Sequence, residues 1–179
     1  MKNLFLLSIG LILITACNSK NENTTDTPSN WESYATDNLS IQYPNDWTLT
    51  HNGEMGTLFI IKSELTSTKD DFSENINLVT EDISTFEVTL DMYADVSVTN
   101  IERMVEGVEM ITNTRIKGED KDFHKLVYSS NQNGYLLVYE QYLWVTNSTA
   151  YVLTFVGKKG EYEAFKEIAE KIMDSFRIK

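Results

Sequence analysis

The chain has one cysteine and two histidines among its 179 residues. A single thiol cannot form an internal disulfide. His51 and His124 lack the spacing of a zinc site, and each is interpreted as a surface residue. A Gly-x-Ser-x-Gly elbow, a Ser-x-x-Lys pair and a phosphate-binding glycine loop are also missing from the sequence. The sequence therefore predicts a protein that is not an enzyme, with a hydrolase built from dispersed carboxylates as the minor alternative.

Basic residues are scarce, since 15 Lys and Arg stand against 27 Asp and Glu, for a formal net charge of -12. Nucleic acids and anionic lipid surfaces are bound through clusters of Lys and Arg. We therefore expect no nucleic-acid partner and no domain face that lies against anionic lipid. Acidity of this kind is typical of an exported domain that stays in solution.

A long apolar run occurs at the N-terminus, over residues 4–16, behind the positive charge of Lys2. A spanning helix needs about 20 apolar residues, so the shorter run predicts a cleaved signal peptide over residues 1–16. The run closes with Ile14-Thr15-Ala16-Cys17, which resembles the lipobox of bacterial lipoproteins. The resemblance implies that Cys17 receives a diacylglycerol and becomes the acylated first residue. An ordinary signal peptide with a chance cysteine is the alternative.

Residues 17–30 follow as the lipidated cysteine and a linker without large apolar side chains. Such a segment cannot offset its ordering entropy by burial, and a flexible coil of this length has an average span of about 20 Å. Two or three acyl chains hold a protein stably at a bilayer. We therefore expect a domain over residues 31–179 that is anchored in the bacterial cell envelope, outside the cytoplasmic membrane or on the outer membrane.

Strands account for most of the pattern in this domain. They are predicted at residues 39–43, 47–50, 57–62, 76–83, 108–117, 123–128, 135–145 and 149–156. The last four are joined by short connections, and Asn133-Gly134 is the strongest of the short hairpin signals. An antiparallel meander is therefore predicted in the second half of the domain.

Two segments instead show a helical period. The first places apolar residues on one face and has Thr89 as N-cap; its apolar residues are Leu90, Tyr93, Ala94, Val98, Ile101 and Met104. The second, over residues 161–176, has one apolar stripe of Phe165, Ile168, Ala169, Ile172 and Phe176. Each helix can therefore cover one face of a sheet.

The strand at residues 135–145 is apolar on both faces, so both faces must be covered. With one helix on each side, the predicted fold is α+β, a three-layer α/β/α sandwich on a mainly antiparallel sheet. An aromatic stripe, formed by Tyr142, Trp144, Tyr151 and Phe155, is interpreted as core. A ligand pocket lined by such aromatics is the alternative.

This order of elements resembles the PsbP-like fold, the family of the extrinsic photosystem subunit PsbP and its bacterial relatives. The matching stretches are residues 39–47, 76–79, 90–94, 151–155 and 172–176. The resemblance spans nearly the whole domain and implies a small, non-enzymatic binding or assembly protein of the envelope. It carries over no functional residue, and attachment to a photosystem is not implied.

Two acidic loops contain closely spaced oxygen ligands of the kind that calcium binds. The first loop contains Asp70, Asp71 and Glu74, and the second contains Asp120 and Asp122. Neither matches the calcium-loop consensus and each carries a lysine. Solvated loops without a cofactor are therefore the favoured interpretation, and calcium is the alternative.

These patterns lead to one functional hypothesis and two alternatives. The hypothesis is a lipid-anchored, non-enzymatic accessory that binds or assembles another envelope protein. The alternatives are a small-ligand or metal-ion carrier, and then a hydrolase of unknown type.

Overall fold

Ten strands and two helices make up the part of the chain that the computed structural model describes, residues 30–51, 53, 56–118 and 121–179. The strands are β1 (Trp31–Ala35), β2 (Leu39–Pro44), β3 (Thr48–Thr50), β4 (Phe59–Lys62), β5 (Asn75–Asp82), β6 (Glu109–Lys117), β7 (Asp122–Gln132), β8 (Tyr135–Thr146), β9 (Thr149–Lys158) and β10 (Arg177–Ile178). The helices are α1 (Leu90–Met104) and α2 (Tyr162–Asp174). None of the described helices is long and apolar enough to cross a membrane.

Most strands belong to one antiparallel sheet of seven, in the order β3-β4-β5-β9-β8-β7-β6. A second sheet of three has the order β1-β2-β10. The hairpin between β7 and β8 turns at Asn133 and Gly134, whose φ angles of 54° and 87° match the two positive values of a type I′ turn. The predicted meander is therefore confirmed, and β7 and β8 run to the tip of this hairpin.

One face of the large sheet is covered by α2 together with the small sheet. Ile172 and Met173 of α2 pack in a single core with Leu78 of β5, Phe155 of β9 and Ile41 of β2. All five side chains are almost completely removed from solvent. This layer is the main hydrophobic core, and burial of that apolar surface is the principal stabilising term of the fold.

A buried ion pair lies within this layer. The carboxylate of Glu140 accepts a hydrogen bond from the Tyr162 hydroxyl at 2.6 Å and lies 2.6 Å from the ammonium of Lys125. Burial alone would lower the pKa of Lys125, but the contacts with Glu140 and Glu170 outweigh it and raise that pKa. Through Tyr162 and Glu170, the pair ties α2 to β7 and β8.

The opposite face is covered by α1 over part of its width. Leu90 and Ala94 pack on Leu126 of β7 and Leu143 of β8 in a smaller core. The helix begins where the sequence predicts, because the Thr89 side chain accepts a hydrogen bond from the Met92 backbone N–H at 3.2 Å. We refer to this side of the large sheet as the α1 face and to the other as the α2 face.

The predicted fold class is confirmed, and two strands are added to it. The sequence analysis did not predict β1 or β10, which are short and pair only with β2 within the described part of the chain. The predicted aromatic core is also confirmed: Tyr142 and Phe155 are buried, and Trp144 and Tyr151 pack against the same core on the α2 face.

Candidate functional site

An open groove with a volume of about 780 Å³ crosses the α1 face of the large sheet. Its floor comes from β4, β5, β7, β8 and β9, and none of the described residues that line it belongs to α1. The helix covers β7 and β8 near Leu126 and Leu143, and the groove occupies sheet surface that the helix leaves uncovered. It is the candidate functional site.

A row of three polar side chains crosses the floor of the groove. The pairing register aligns Asn77 of β5 with Thr154 of β9, and Thr154 with Gln141 of β8. Gln141 Nε2 donates a hydrogen bond to Thr154 Oγ1 at 3.2 Å, and Asn77 Nδ2 donates one to Asn75 Oδ1 at 3.3 Å. Each amide has further hydrogen-bonding capacity beyond these contacts. The groove therefore presents donors and acceptors to a bound molecule.

An adjacent row adds aromatic surface. Asn75 of β5, Val156 of β9, Tyr139 of β8 and Tyr128 of β7 are aligned by the same register. The rings of Tyr128 and Tyr139 stack with centroids 4.9 Å apart and an angle of 11° between their planes. Burial is the main cause that raises the pKa of both hydroxyls. Both tyrosines are therefore neutral at physiological pH and present uncharged surface.

One end of the groove is closed by a contact cluster that we call the clasp, formed by Asp71, Phe72, Tyr135 and Lys158. The Lys158 ammonium lies 2.6 Å from Asp71 Oδ1, and the Tyr135 hydroxyl donates a hydrogen bond to Asp71 Oδ2 at 2.9 Å. The same ammonium lies 5.5 Å from the centroid of the Tyr135 ring and 5.9 Å from that of Phe72. The clasp fastens residues 63–74 against the ends of β8 and β9, where Asp71 and Phe72 line the groove.

The clasp also explains the first predicted acidic loop. The side chain of Asp70 accepts hydrogen bonds from the backbone N–H groups of Thr66 and Phe72, which lower the pKa of this carboxyl. Hydrogen bonds from Lys158 and then Tyr135 lower the pKa of Asp71. The loop is therefore organised by protein donors, and the cation next to its two aspartates is the ammonium of Lys158.

Glu74, the third predicted residue of this loop, is fully buried. Its Oε1 accepts a long hydrogen bond of 3.4 Å from the Lys158 backbone N–H, while Oε2 is buried without a hydrogen-bond partner. Ser63 donates its backbone N–H to the backbone oxygen of Glu74, and its own hydroxyl is also buried without a hydrogen-bond partner. Burial raises the pKa of the Glu74 carboxyl.

The residues of the second acidic loop are placed elsewhere. Asp122 pairs with Arg115, which also binds Asp91 at the start of α1. Asp120 lies outside the described residues, as does Cys17, the predicted lipidation site. Among the described residues, no group of three His, Cys, Asp or Glu side chains is arranged to hold a metal ion. Calcium binding and lipidation therefore stay predictions.

The surface position expected for His124 is wrong, since this side chain is 9% exposed. The burial of His124 follows from the fold, because this residue lies on the α1 face of β7, two residues from Leu126. Its Nε2 lies 2.6 Å from Asn113 Oδ1, and burial together with the nearby Arg115 lowers the pKa of the imidazole. His51 is exposed, as expected, and stacks on Tyr34.

The polar floor of the groove is not among the features predicted from the sequence. Asn75 and Asn77 alternate with Ile76 and Leu78 in β5, which is the usual signal of a strand with one face in contact with water. Gln141 is the one amide side chain in the largely apolar strand β8, and it also indicates a position in contact with water. The strand pairing that aligns these side chains could not be read from either segment alone.

Comparison with known proteins identifies a family and several solved structures to which this chain is similar. The family model described as PsbP-like protein matches residues 12–178. The cyanobacterial PsbP (CyanoP) of Synechocystis is 13% identical and covers 84% of this chain and 93% of its own, with a TM-score of 0.58. LpqN, involved in cell envelope biogenesis of Mycobacterium tuberculosis, is 12% identical and covers 83% and 91%, with a TM-score of 0.58.

A third solved structure is similar to the same extent. PA94 from Pseudomonas aeruginosa, a protein of unknown function, is 14% identical and covers 81% of this chain and 94% of its own, with a TM-score of 0.57. The sequence matches none of the curated proteins with which it was compared. At these identities the likeness shows a shared fold.

Replacing Glu74 by Gln is expected to stabilise the protein at pH 7. The pKa of Glu74 is higher in the folded than in the unfolded protein. The contribution of this carboxyl to the free energy of unfolding is therefore complete below the unfolded pKa, and it is lost as the pH rises through the folded pKa. A neutral amide avoids this loss, with a gain of about 1 kcal/mol, or a melting temperature higher by about 2–4 °C. Calorimetry at pH 7 and near pH 4 checks this, because the gain should disappear at the lower pH.

The matched control for this variant is Glu64→Gln, which changes an exposed glutamate of the same loop. Its effect is expected to stay within about 0.5 kcal/mol at either pH. A Glu74→Gln protein that is less stable than wild type at pH 7 would show instead that the fold requires the ionised carboxylate.

Millimolar calcium is expected to leave the melting temperature of the wild-type protein unchanged, because Lys158 already neutralises the carboxylate of Asp71. Calorimetry with calcium chloride, against sodium chloride of matched ionic strength, measures this. A calcium-dependent rise that disappears in Asp70→Asn would establish the calcium site that the sequence offers as an alternative.

Proposed function

This chain belongs to the PsbP-like protein family, and on that premise we propose that it is a non-enzymatic binding accessory of the bacterial cell envelope. In this proposal the lipid on Cys17 anchors the protein, and the groove on the α1 face holds an envelope component. The family match supports the accessory role. The fold shared with LpqN, involved in cell envelope biogenesis, agrees with the location.

The observation that carries the proposal is the uncovered part of the α1 face. Ligand sites typically enclose about 300–1,000 Å³, and the groove has about 780 Å³. Part of this face can stay without a covering layer, because the half-buried Asn77 and Gln141 place polar groups on its floor. The groove can therefore stay open in the unbound protein.

The position of the tether agrees with this role. The described part of the chain starts at Asn30, directly before β1, and Trp31 and Tyr34 of β1 pack against the core of the α2 face. The groove lies on the opposite face of the large sheet. An anchored domain can therefore hold its groove away from its own attachment point.

A protein partner is the second candidate, and α1 provides its specific observation. Phe86 before the helix is 72% exposed, and Met92 and Val96 on the helix are 52% and 58% exposed. Exposed apolar side chains grouped on one element are a feature of protein interaction surfaces. Contact through α1 would leave the groove free.

The anchor is tested with a Cys17→Ala variant expressed in the native host. The wild-type protein is expected in the membrane fraction and the variant in the soluble fraction, because the thiol that carries the lipid is lost. Intact-mass measurement of the purified wild type should show a lipidated residue 17 at its N-terminus. An unmodified thiol in that protein would contradict the anchor.

The groove is tested by photo-crosslinking in intact cells. A benzophenone amino acid replaces Gln132, an exposed residue of the groove lining, and in a control it replaces Lys171 on the outer surface of α2. A crosslinked product is expected from the groove position alone. Equal crosslinking from both positions, or none from the groove, would contradict the proposed binding role.

A further inference from the structure

We propose that the groove binds a neutral oligosaccharide, an uncharged ligand rich in hydroxyl groups. This inference rests on the proposed function, because it identifies the ligand of the same groove. It follows from the charge of the groove, the order of its polar side chains and the kind of apolar surface that it offers.

The charge of the groove is the first step. The chain carries 27 Asp and Glu residues, yet among the described lining residues Lys62 and Asp71 are the charged ones. Asp71 already pairs with Lys158 at 2.6 Å, and Lys62 is also engaged in an interaction within the protein. An ionised ligand would lose hydration without gaining a matched group of opposite charge, which is unfavourable. The groove therefore suits an uncharged ligand.

The polar row is the second step. Neighbouring strands lie about 4.8 Å apart, so the half-buried amides of Asn77 and Gln141 lie about 10 Å apart across the floor, on either side of the buried Thr154 that accepts the hydrogen bond of Gln141. Side-chain amides and hydroxyls both donate and accept hydrogen bonds. A sugar hydroxyl also does both. A row of sugar hydroxyls can thus bind this row without any change of protonation.

The stacked tyrosines are the third step. A sugar ring has an apolar face of C–H groups, and a tyrosine offers an apolar ring with a polar hydroxyl at its end. Tyr139 is half-buried and stacked on Tyr128, which holds its ring in place beside the polar row. The groove therefore combines a fixed ring with a line of hydrogen-bonding groups.

The aliphatic residues of the floor decide between an oligosaccharide and a peptide. Extended peptides gain specificity from pockets that take alternate side chains. Ile60, Leu137 and Val156 are each at most 9% exposed, so they offer little surface to a peptide side chain. Val79, at 37% exposure, pairs with Val152, which packs against the smaller core under α1. The groove therefore offers apolar surface mainly through half-buried rings such as Tyr139 and Phe72, which suit the C–H faces of sugar rings better than a side-chain pocket would.

The test uses the full mature protein, solubilised in a detergent without a sugar headgroup, on an array of neutral and acidic glycans. Binding to neutral glycans is expected, and the best of them is then titrated by calorimetry. Asn77→Ala and Gln141→Ala should each weaken binding by about fivefold to tenfold, since each removes hydrogen bonds worth about 1 kcal/mol. The matched control, Asn45→Ala at an exposed position outside the groove, should leave affinity unchanged.

Binding to acidic glycans alone, or to no glycan on the array, would overturn the oligosaccharide proposal. So would neutral-glycan binding that Asn77→Ala and Gln141→Ala leave unchanged in variants that melt like the wild type. The proposed function has a separate readout. If the array is negative while the groove crosslinks specifically to an envelope protein in cells, the ligand class is wrong and the binding role stands.

Discussion

The structure depends on the need to cover two apolar faces of one antiparallel sheet. The interior strand β8 presents Val138 and Tyr142 to the α2 face and Leu143 to the α1 face. Exposing these side chains to water would cost about 1.5–3 kcal/mol each, a large fraction of the stability of about 5–15 kcal/mol that is typical of a domain. The helix α2 and the small sheet cover the first of these faces. The helix α1 covers the other face over part of its width.

The incomplete cover makes the groove. Where α1 ends its contact with Leu143, the same face continues with Gln141, Thr154 and Asn77. The amides of Asn77 and Gln141 can remain in water, because their polar groups lose nothing there, and the buried Thr154 accepts the hydrogen bond of Gln141. The clasp then sets the end of the groove, since Lys158 gathers Asp71 and two aromatic rings above the strand ends. Apolar packing and polar exposure thus divide one sheet face between a part packed under α1 and an open groove.

Charged side chains are concentrated away from the groove floor. The protein is strongly acidic, and its acidic loops interact with its own cations, as Asp122 does with Arg115 and Asp71 with Lys158. Two carboxylates, those of Glu140 and Glu74, are buried in different surroundings. Glu140 lies 2.6 Å from the Lys125 ammonium, whereas burial raises the pKa of Glu74. The groove floor between these clusters is left nearly free of charge.

The sequence by itself determined the fold class, both helices, the hairpins and the aromatic core. These are local features: the period of three and four residues places α1, Thr89 caps it, and Asn133-Gly134 turns the hairpin. The tertiary structure alone decided the burial of His124 and the alignment of Asn77 with Gln141. Those features depend on which strands are neighbours and how far a helix reaches across them, and this long-range packing has no local signature in the chain.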